Sequence, residues 1–149
     1  MRRFLRLQSA DRRLVAEAAF LLVTARVGLA FLPVRGVVRL LSRMTSRRLG
    51  EEGGHPSVQA RVCWAVRALS PWVRGSTCLV QALVAGVLCR RLGHPVELRM
   101  GMARGPEGGI EGHAWLECRG IVVLGGPDAS RYVPLTGAVS QPLSSASAQ

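Results

Sequence analysis

The spacing of apolar residues changes at Gly93, and this change divides the chain into a helical part and a strand part. Before Gly93, apolar residues recur at intervals of three and four positions, as at Ala18, Leu21 and Ala25, which is typical of the buried face of a helix. After it, apolar residues alternate with polar residues or glycine from Val96 to Met102, as on a half-buried strand. Helices followed by a small antiparallel sheet predict an α+β fold.

The two patterns and their interruptions also predict where each element lies. We expect helices at about 14–31, 34–44, 58–69 and 78–92, strands at 96–102, 113–118 and 121–124, and a short edge strand within 131–135. Pro33 separates the first two helices, Ser57 caps the third, and Gly93 ends the fourth in a left-handed cap. The chain is therefore divided into N-terminal amphipathic helices (1–44), a polar linker (45–57), a core domain (58–136) and a disordered tail (137–149).

The chain of 149 residues carries a net charge of +11, and all 20 of its basic residues are arginines. A charge of this sign favours an acidic peptide, an acidic protein or anionic lipid as partner. Nucleic acid fits less well, because the arginines are dispersed and aromatic residues make up only 5% of the chain, too few for a base-stacking surface. We therefore predict no nucleic-acid binding.

The N-terminal segment combines a basic start with an apolar run from Leu14 to Phe31, so a membrane span has to be considered. Glu17 and Arg26 interrupt this run, and each would cost roughly 2.5–3.5 kcal/mol near the bilayer centre. The apolar pattern also continues past Pro33, unlike a secretory signal. A buried helix is the better interpretation, with peripheral contact to a membrane surface as the lesser alternative.

The four cysteines form no Cys-x-x-Cys motif, and together with the three histidines they show no metal-ligand spacing. We therefore predict reduced thiols and no metal ion, and we place the protein in the cytoplasm. Buried structural roles are expected for Cys63, Cys89 and Cys118. His55 and His94 flank prolines in expected loops and are predicted to be exposed.

The fourth predicted helix begins with Cys78, and the second predicted strand begins with His113. With Ser76 or Thr77 as N-cap, Cys78 lies in the first helical turn, where unpaired N–H groups and the positive helix end stabilise a thiolate. The same N–H groups are candidates for an oxyanion hole. A cysteine nucleophile needs a base that is distant in sequence and near in space. The pair therefore predicts cysteine chemistry on an acyl group, with peptide cleavage as the main candidate.

A third group is expected to orient the imidazole of His113. Asp128 follows the next predicted strand, and a hairpin there would return it beside His113. Glu117 is an alternative, because it has the same alternation phase as His113 and so faces the same side of the sheet. A backbone carbonyl is a further alternative. Trp115 shares this phase and is expected to form a wall of the site.

These residues resemble the leader peptidase of lasso-peptide biosynthesis, the maturation B protein with a transglutaminase-like, papain-related core. The matching segments are Thr77-Cys78-Leu79, Leu92-Gly93, His113-Ala114-Trp115-Leu116-Glu117 and Tyr132-Val133-Pro134-Leu135. The resemblance covers about residues 14–136. It implies a central helix that begins with Cys78 and packs on a small antiparallel sheet.

The resemblance implies a cysteine endopeptidase that removes the leader peptide from a ribosomally made lasso-peptide precursor. Cys78 would be the nucleophile, His113 the base and acid, and Asp128 the orienting group. Some relatives carry aspartate about 12 positions after the histidine, where this chain has Gly125, so Asp128 departs from that pattern. We assign Thr77 and Trp115 to substrate binding.

The resemblance also implies partners. No leader-recognition module precedes the core, so we expect a stand-alone peptidase that needs a separate recognition protein. A macrolactam-forming cyclase would act next in the pathway. The chain has no P-loop, and we predict no cofactor.

Two other functions remain open from the sequence. A transglutaminase or amidase would form the same acyl-enzyme and pass the acyl group to an amine or to water. A non-catalytic adaptor would bind an acidic protein or a membrane through its basic surface, and Cys78 would then be structural.

Overall fold

The computed structural model describes residues 9–44 and 56–135, and in these ranges the chain forms helices followed by an antiparallel sheet. The helices are α1 (Ser9–Phe31), α2 (Val34–Met44), α3 (Pro56–Leu69) and α4 (Cys78–Arg91). The strands are β1 (Val96–Arg104), β2 (Ile110–Cys118), β3 (Ile121–Leu124) and β4 (Val133–Pro134). Short 3-10 turns span Ser70–Trp72 and Pro127–Arg131. The predicted α+β class is confirmed.

Helix α4 lies at the centre of the fold and packs against α1, α3, β1 and β2. Its interior is almost entirely apolar, which fits a helix that is covered on several sides. The buried side chains of α4 are Val80, Ala82, Leu83, Val84, Ala85, Val87, Leu88 and Cys89. This burial fixes the backbone of α4 and therefore the position of its first residue, Cys78.

The sheet has the strand order β3-β2-β1-β4, so β2 is a central strand and β4 an edge strand. His113 on β2 pairs with Gly101 on β1, and Gly101 in turn pairs with Pro134 on β4. The β1–β2 pairing extends to Arg104 and Ile110, so both strands are longer than the predicted 96–102 and 113–118. Arg119 and Gly120 form the turn that joins β2 to β3.

Two local predictions are wrong. Helix α3 already begins at Pro56, a position that favours proline, so Ser57 lies inside the helix and does not cap it. His94 is only 4% exposed, because its backbone N–H donates to the Cys89 carbonyl and folds the turn back onto the end of α4. The segment 45–55, which includes His55, and the predicted tail at 137–149 lie outside the described residues.

Helix α1 is the one described helix long and apolar enough to cross a membrane, over Arg12–Phe31. It also packs on α3 and α4, and Ala18, Leu21, Leu22 and Ala25 on it are buried. Glu17 forms an ion pair with Arg91 of α4. The acidic residue within the apolar run thus joins α1 to the central helix.

Candidate active site

Cys78 is the first residue of α4, and Thr77 is the N-cap of that helix. The Thr77 side chain accepts a hydrogen bond from the Val80 N–H at 3.4 Å, and the Thr77 carbonyl accepts one from the Gln81 N–H at 3.1 Å. The N–H groups of Cys78 and Leu79 precede the first intrahelical donor and are left for another acceptor. Cys78 is half-buried and lies at the positive end of the helix.

The His113 side chain is held by the backbone of the segment that follows β3. Its Nε2 atom lies 2.8 Å from the carbonyl oxygen of Gly125. A carbonyl oxygen only accepts hydrogen bonds, so Nε2 carries the proton. In the neutral ring Nδ1 is then the nitrogen with a free lone pair, which is the form that a general base requires.

Two aromatic rings further restrict the imidazole. The ring of Tyr132 stacks on it with centroids 4.8 Å apart, and the ring of Trp115 lies 6.1 Å away at an interplanar angle of 17°. Arg131 places its guanidinium over the Tyr132 ring and pairs with Glu111 at 2.7 Å. The segment before β4 is thereby tied to β2 near His113.

Cys78 and His113 line the same open cleft, which has a volume of about 480 Å³. The cleft lies between the start of α4, the end of α3, β2 and the segment after β3. The residues that line it are Arg67, Cys78, Gln81, His113, Ala114, Leu124, Gly125 and Gly126. The structure therefore brings together the two residues that the sequence predicted as nucleophile and base.

Gln81 adds a side-chain donor to this cleft. It follows Cys78 by three positions and so lies on the same face of α4. Its Nε2 atom donates a hydrogen bond to the Ser76 carbonyl at 3.4 Å, which leaves a second N–H on the same amide. Together with the backbone N–H groups at the helix start, this amide can stabilise negative charge that develops on a carbonyl oxygen bound in the cleft.

Gly125 occupies a position that a larger residue would disturb. Its φ of +114° is unfavourable for residues with a side chain, and an added Cβ would lie 2.3 Å from the Cβ of Trp115. The absence of a side chain lets the Gly125 backbone approach β2 closely enough for its carbonyl to reach His113. Twelve positions after His113, this chain thus places a main-chain oxygen beside the imidazole.

Trp115 and Glu117 lie along β2 on the same side as His113, as the alternation predicted. The Trp115 Nε1–H donates to Glu117 at 2.8 Å, and Glu117 also pairs with Arg99 at 3.2 Å. Trp115 is only 3% exposed, so it supports His113 from behind and does not form the substrate wall that we expected. Glu117 is engaged with these two partners and does not orient His113.

Asp128 lies in the 3-10 turn that follows Gly126, and its side chain is outside the described part of the structure. Its role as the third catalytic group therefore stays a prediction. Thr77 is exposed and acts as the cap of α4, and its contact with substrate also stays a prediction.

The other cysteines lie away from the cleft lining. Cys63 and Cys89 are buried and close enough to share a hydrogen bond, which together with burial raises the pKa of the Cys89 thiol above its ordinary value. All four cysteines are free. Among the described residues no group of histidine, cysteine or acidic side chains could hold a metal ion.

Arg67, Gln81 and Tyr132 line or contact the site, and sequence reasoning gave them no role. Only Gln81 carried a recognisable signal, because it is the one polar residue in the apolar run that follows Cys78. Arg67 reaches the cleft through the packing of α3 on α4, and Tyr132 through the pairing of β4 with β1. Neither contact can be derived from spacing along the chain.

The comparison with protein families agrees with this arrangement. A model of the transglutaminase-like superfamily matches residues 19–137, which is most of the chain. Neither a curated protein nor a solved structure matches the chain at a significant level. The superfamily generally includes enzymes that use a cysteine. With its cysteine at the start of the central helix and its histidine on the adjoining sheet, the chain belongs to the transglutaminase-like superfamily.

Proposed function

We propose that the protein is a cysteine endopeptidase that removes the leader peptide from a ribosomally made lasso-peptide precursor. The observation that carries the proposal is the shared cleft, in which Cys78 and a His113 oriented by the Gly125 carbonyl both have access to one bound group. The superfamily supports chemistry of the cysteine peptidase or acyl-transfer type. Within this range of chemistry, the motif resemblance around Cys78 and His113 favours removal of a leader peptide.

The reaction uses the groups of the cleft in sequence. Nδ1 of His113 accepts the proton of the Cys78 thiol, and the thiolate attacks the carbonyl carbon of the scissile peptide bond. Helix-start N–H groups and the Gln81 amide stabilise the oxyanion. His113 then protonates the leaving amine, which departs as the C-terminal product. A water molecule, deprotonated by His113, hydrolyses the thioester and releases the leader with a free carboxylate.

The charge of the protein supports the proposed partners. A net charge of +11 attracts an acidic leader or an acidic recognition protein and speeds the encounter. In this proposal a separate recognition protein presents the precursor, and a macrolactam-forming cyclase uses the cleaved product. The free cysteines suit a cytoplasmic location, where thiols remain reduced.

Acyl transfer to an amine is the second candidate, because the superfamily match and the same cleft support it equally. It differs only in the group that attacks the thioester. Mass spectrometry of the products separates the two functions, since hydrolysis gives two shorter peptides and transfer to an amine gives a cross-linked or modified one.

The test is cleavage of a lasso-peptide precursor by the purified protein in the presence of its recognition protein, followed by mass spectrometry. We expect the wild-type protein to release the leader and Cys78→Ala to lose this activity while keeping its fold by circular dichroism. Cys118→Ala is the matched control and is expected to retain activity, because Cys118 lies outside the cleft lining. Full cleavage by Cys78→Ala would overturn the proposal and favour a non-catalytic role.

A further inference from the structure

Arg67 stands at the cleft although it belongs to a different element from the catalytic pair. It lies in the last turn of α3, next to Val66, which is fully buried. Because Val62 and Val66 fix α3 against the core, the Arg67 side chain projects from a rigid backbone position. Arg67 joins Cys78, Gln81 and His113 in lining the cleft.

The charge of Arg67 has no carboxylate partner among the described side chains. None of the residues that line the cleft is acidic. The described ion pairs use other arginines, namely Arg91, Arg99 and Arg131. In the described structure these arginines form ion pairs with glutamates of the protein itself. Among the described residues, Arg67 instead brings an unpaired positive charge to the cleft.

An arginine in this position has a defined chemical preference. Its planar guanidinium offers a fork of N–H donors that matches the two oxygens of a carboxylate. A peptide in extended form advances about 3.3–3.6 Å per residue. In a cleft of about 480 Å³, a group that contacts Arg67 is therefore close in sequence to the carbonyl that Cys78 attacks.

We propose that Arg67 forms an anion subsite, which binds a carboxylate of the substrate within about two residues of the scissile bond. The carboxylate is either an aspartate or glutamate side chain or the C-terminus of the peptide. The identity of the scissile bond rests on the proposed function, whereas the presence of the subsite depends only on the charge and position of Arg67.

Alkylation of Cys78 tests the subsite without any peptidase activity. Iodoacetate and iodoacetamide transfer groups of similar size to a thiolate, but only iodoacetate carries a carboxylate. Mass spectrometry measures the rate at which each reagent modifies Cys78. We expect the rate with iodoacetate, divided by the rate with iodoacetamide, to fall about three- to fivefold in Arg67→Ala at low salt and further in Arg67→Glu. Arg39→Glu, an exposed change on α2 outside the cleft lining, controls for net charge. An equal fall in Arg39→Glu and Arg67→Glu would overturn the subsite.

A library of precursor peptides varied around the scissile bond, assayed with the recognition protein, identifies the source of the carboxylate. Wild-type protein is expected to cut next to aspartate or glutamate, or close to a free C-terminus, and amidation of the C-termini separates these two sources. Arg67→Glu is expected to lose this preference and to raise KM more than it lowers kcat. The same cleavage profile from wild type and Arg67→Glu would overturn the subsite. Cleavage by Cys78→Ala would instead overturn the proposed function. The anion subsite at Arg67 would then be tested by the alkylation rates alone.

Discussion

The two ends of α4 carry the same residue types in opposite surroundings. At its N-terminal end, Cys78 lies in an open cleft with His113. At the C-terminal end of α4, Cys89 is fully buried. The carbonyl of Cys89 accepts a hydrogen bond from the backbone N–H of His94 at 3.0 Å. Both ends thus bring a cysteine and a histidine together in sequence or in space, but only one end is open to a substrate.

This contrast teaches that helix direction and access, rather than residue type, select the reactive cysteine. The N-terminal end has N–H donors without intrahelical acceptors, and it opens into the cleft, where Cys78 is accessible to a substrate or reagent. The C-terminal end has carbonyl oxygens, and there the hydrogen bond with Cys63, followed by burial, raises the pKa of Cys89. A thiol in the second environment is protonated and shielded from solvent.

The largest expected difference between the two ends is the rate of thiol alkylation. In the folded protein near neutral pH, we expect iodoacetamide to modify Cys78 about a hundredfold faster, or more, than Cys63 and Cys89. Peptide mapping by mass spectrometry measures each site in one sample. Unfolding in urea should abolish the difference, which serves as the control. Equal rates in the folded state would show that α4 does not activate Cys78.

Gly125→Ala is expected to have the next largest effect, because it disturbs the support of His113 at the open end. The added Cβ would meet Trp115 at 2.3 Å and would require a φ of +114°. We expect a loss of about 2–4 kcal/mol in the free energy of unfolding, together with a loss of peptide cleavage.

Gly108→Ala is the matched control for this change. Gly108 also has a positive φ, of +83°, but an added Cβ would meet nothing within 4 Å. Urea denaturation should show a cost of only about 1–2 kcal/mol, from the backbone conformation alone. If both variants lose the same stability and Gly125→Ala keeps full activity, the close approach of Gly125 to Trp115 is not what holds His113.

The two ends also differ in how far the sequence predicts them. Cys78, its Thr77 cap and the apolar run up to Gly93 follow from local rules of helix start, periodicity and stop, and all of these elements are present as expected. His94 was predicted to be exposed, because a neighbouring proline marks a loop but carries no information on what covers that loop. Its burial goes with a turn that folds back onto the end of α4, which the proline alone does not specify.

At the open end, the same distinction separates the catalytic pair from its supports. The alternation of apolar and polar residues predicted a strand beginning near His113. The same alternation predicted which residues of that strand share a face of the sheet with His113. The carbonyl of Gly125, the ring of Tyr132 and the charge of Arg67 reach the site through the β2–β3 turn, the β4–β1 pairing and the α3–α4 packing. These contacts depend on tertiary geometry, which residue spacing does not encode.

Caps at the two ends are expected to have smaller effects that differ in kind. Thr77→Ala removes the acceptor for the Val80 N–H and should cost about 1 kcal/mol, while also slowing alkylation of Cys78, because the first turn is loosened. Gly93→Ala introduces a side chain at a φ of +81° and should cost a similar amount without changing the rate at Cys78. Thr77→Ser should restore both properties. Equal alkylation rates of Cys78 in all three variants would show that the Thr77 cap does not influence the reactivity of this thiol.

The smallest expected effect is the pH dependence that His94 adds at the closed end. Burial lowers the pKa of His94 below its ordinary value, since the charged imidazolium is poorly solvated there. The unfolded chain therefore binds a proton more readily than the folded protein as the pH falls below about 6.5. The contribution of His94 to stability is complete above that pH and is lost as the pH falls towards the lowered value.

Urea denaturation between pH 5 and pH 8 measures this contribution. We expect the stability of the wild-type protein to fall more steeply on acidification than that of His94→Asn, whose side chain does not titrate, with the difference confined to the acidic side of about 6.5. Parallel curves for the two proteins would mean that His94 is hydrated in solution. The C-terminal end of α4 would then be more open to water than the 4% exposure of His94 indicates. The contrast between the two ends of α4 would in that case depend on the cysteines alone.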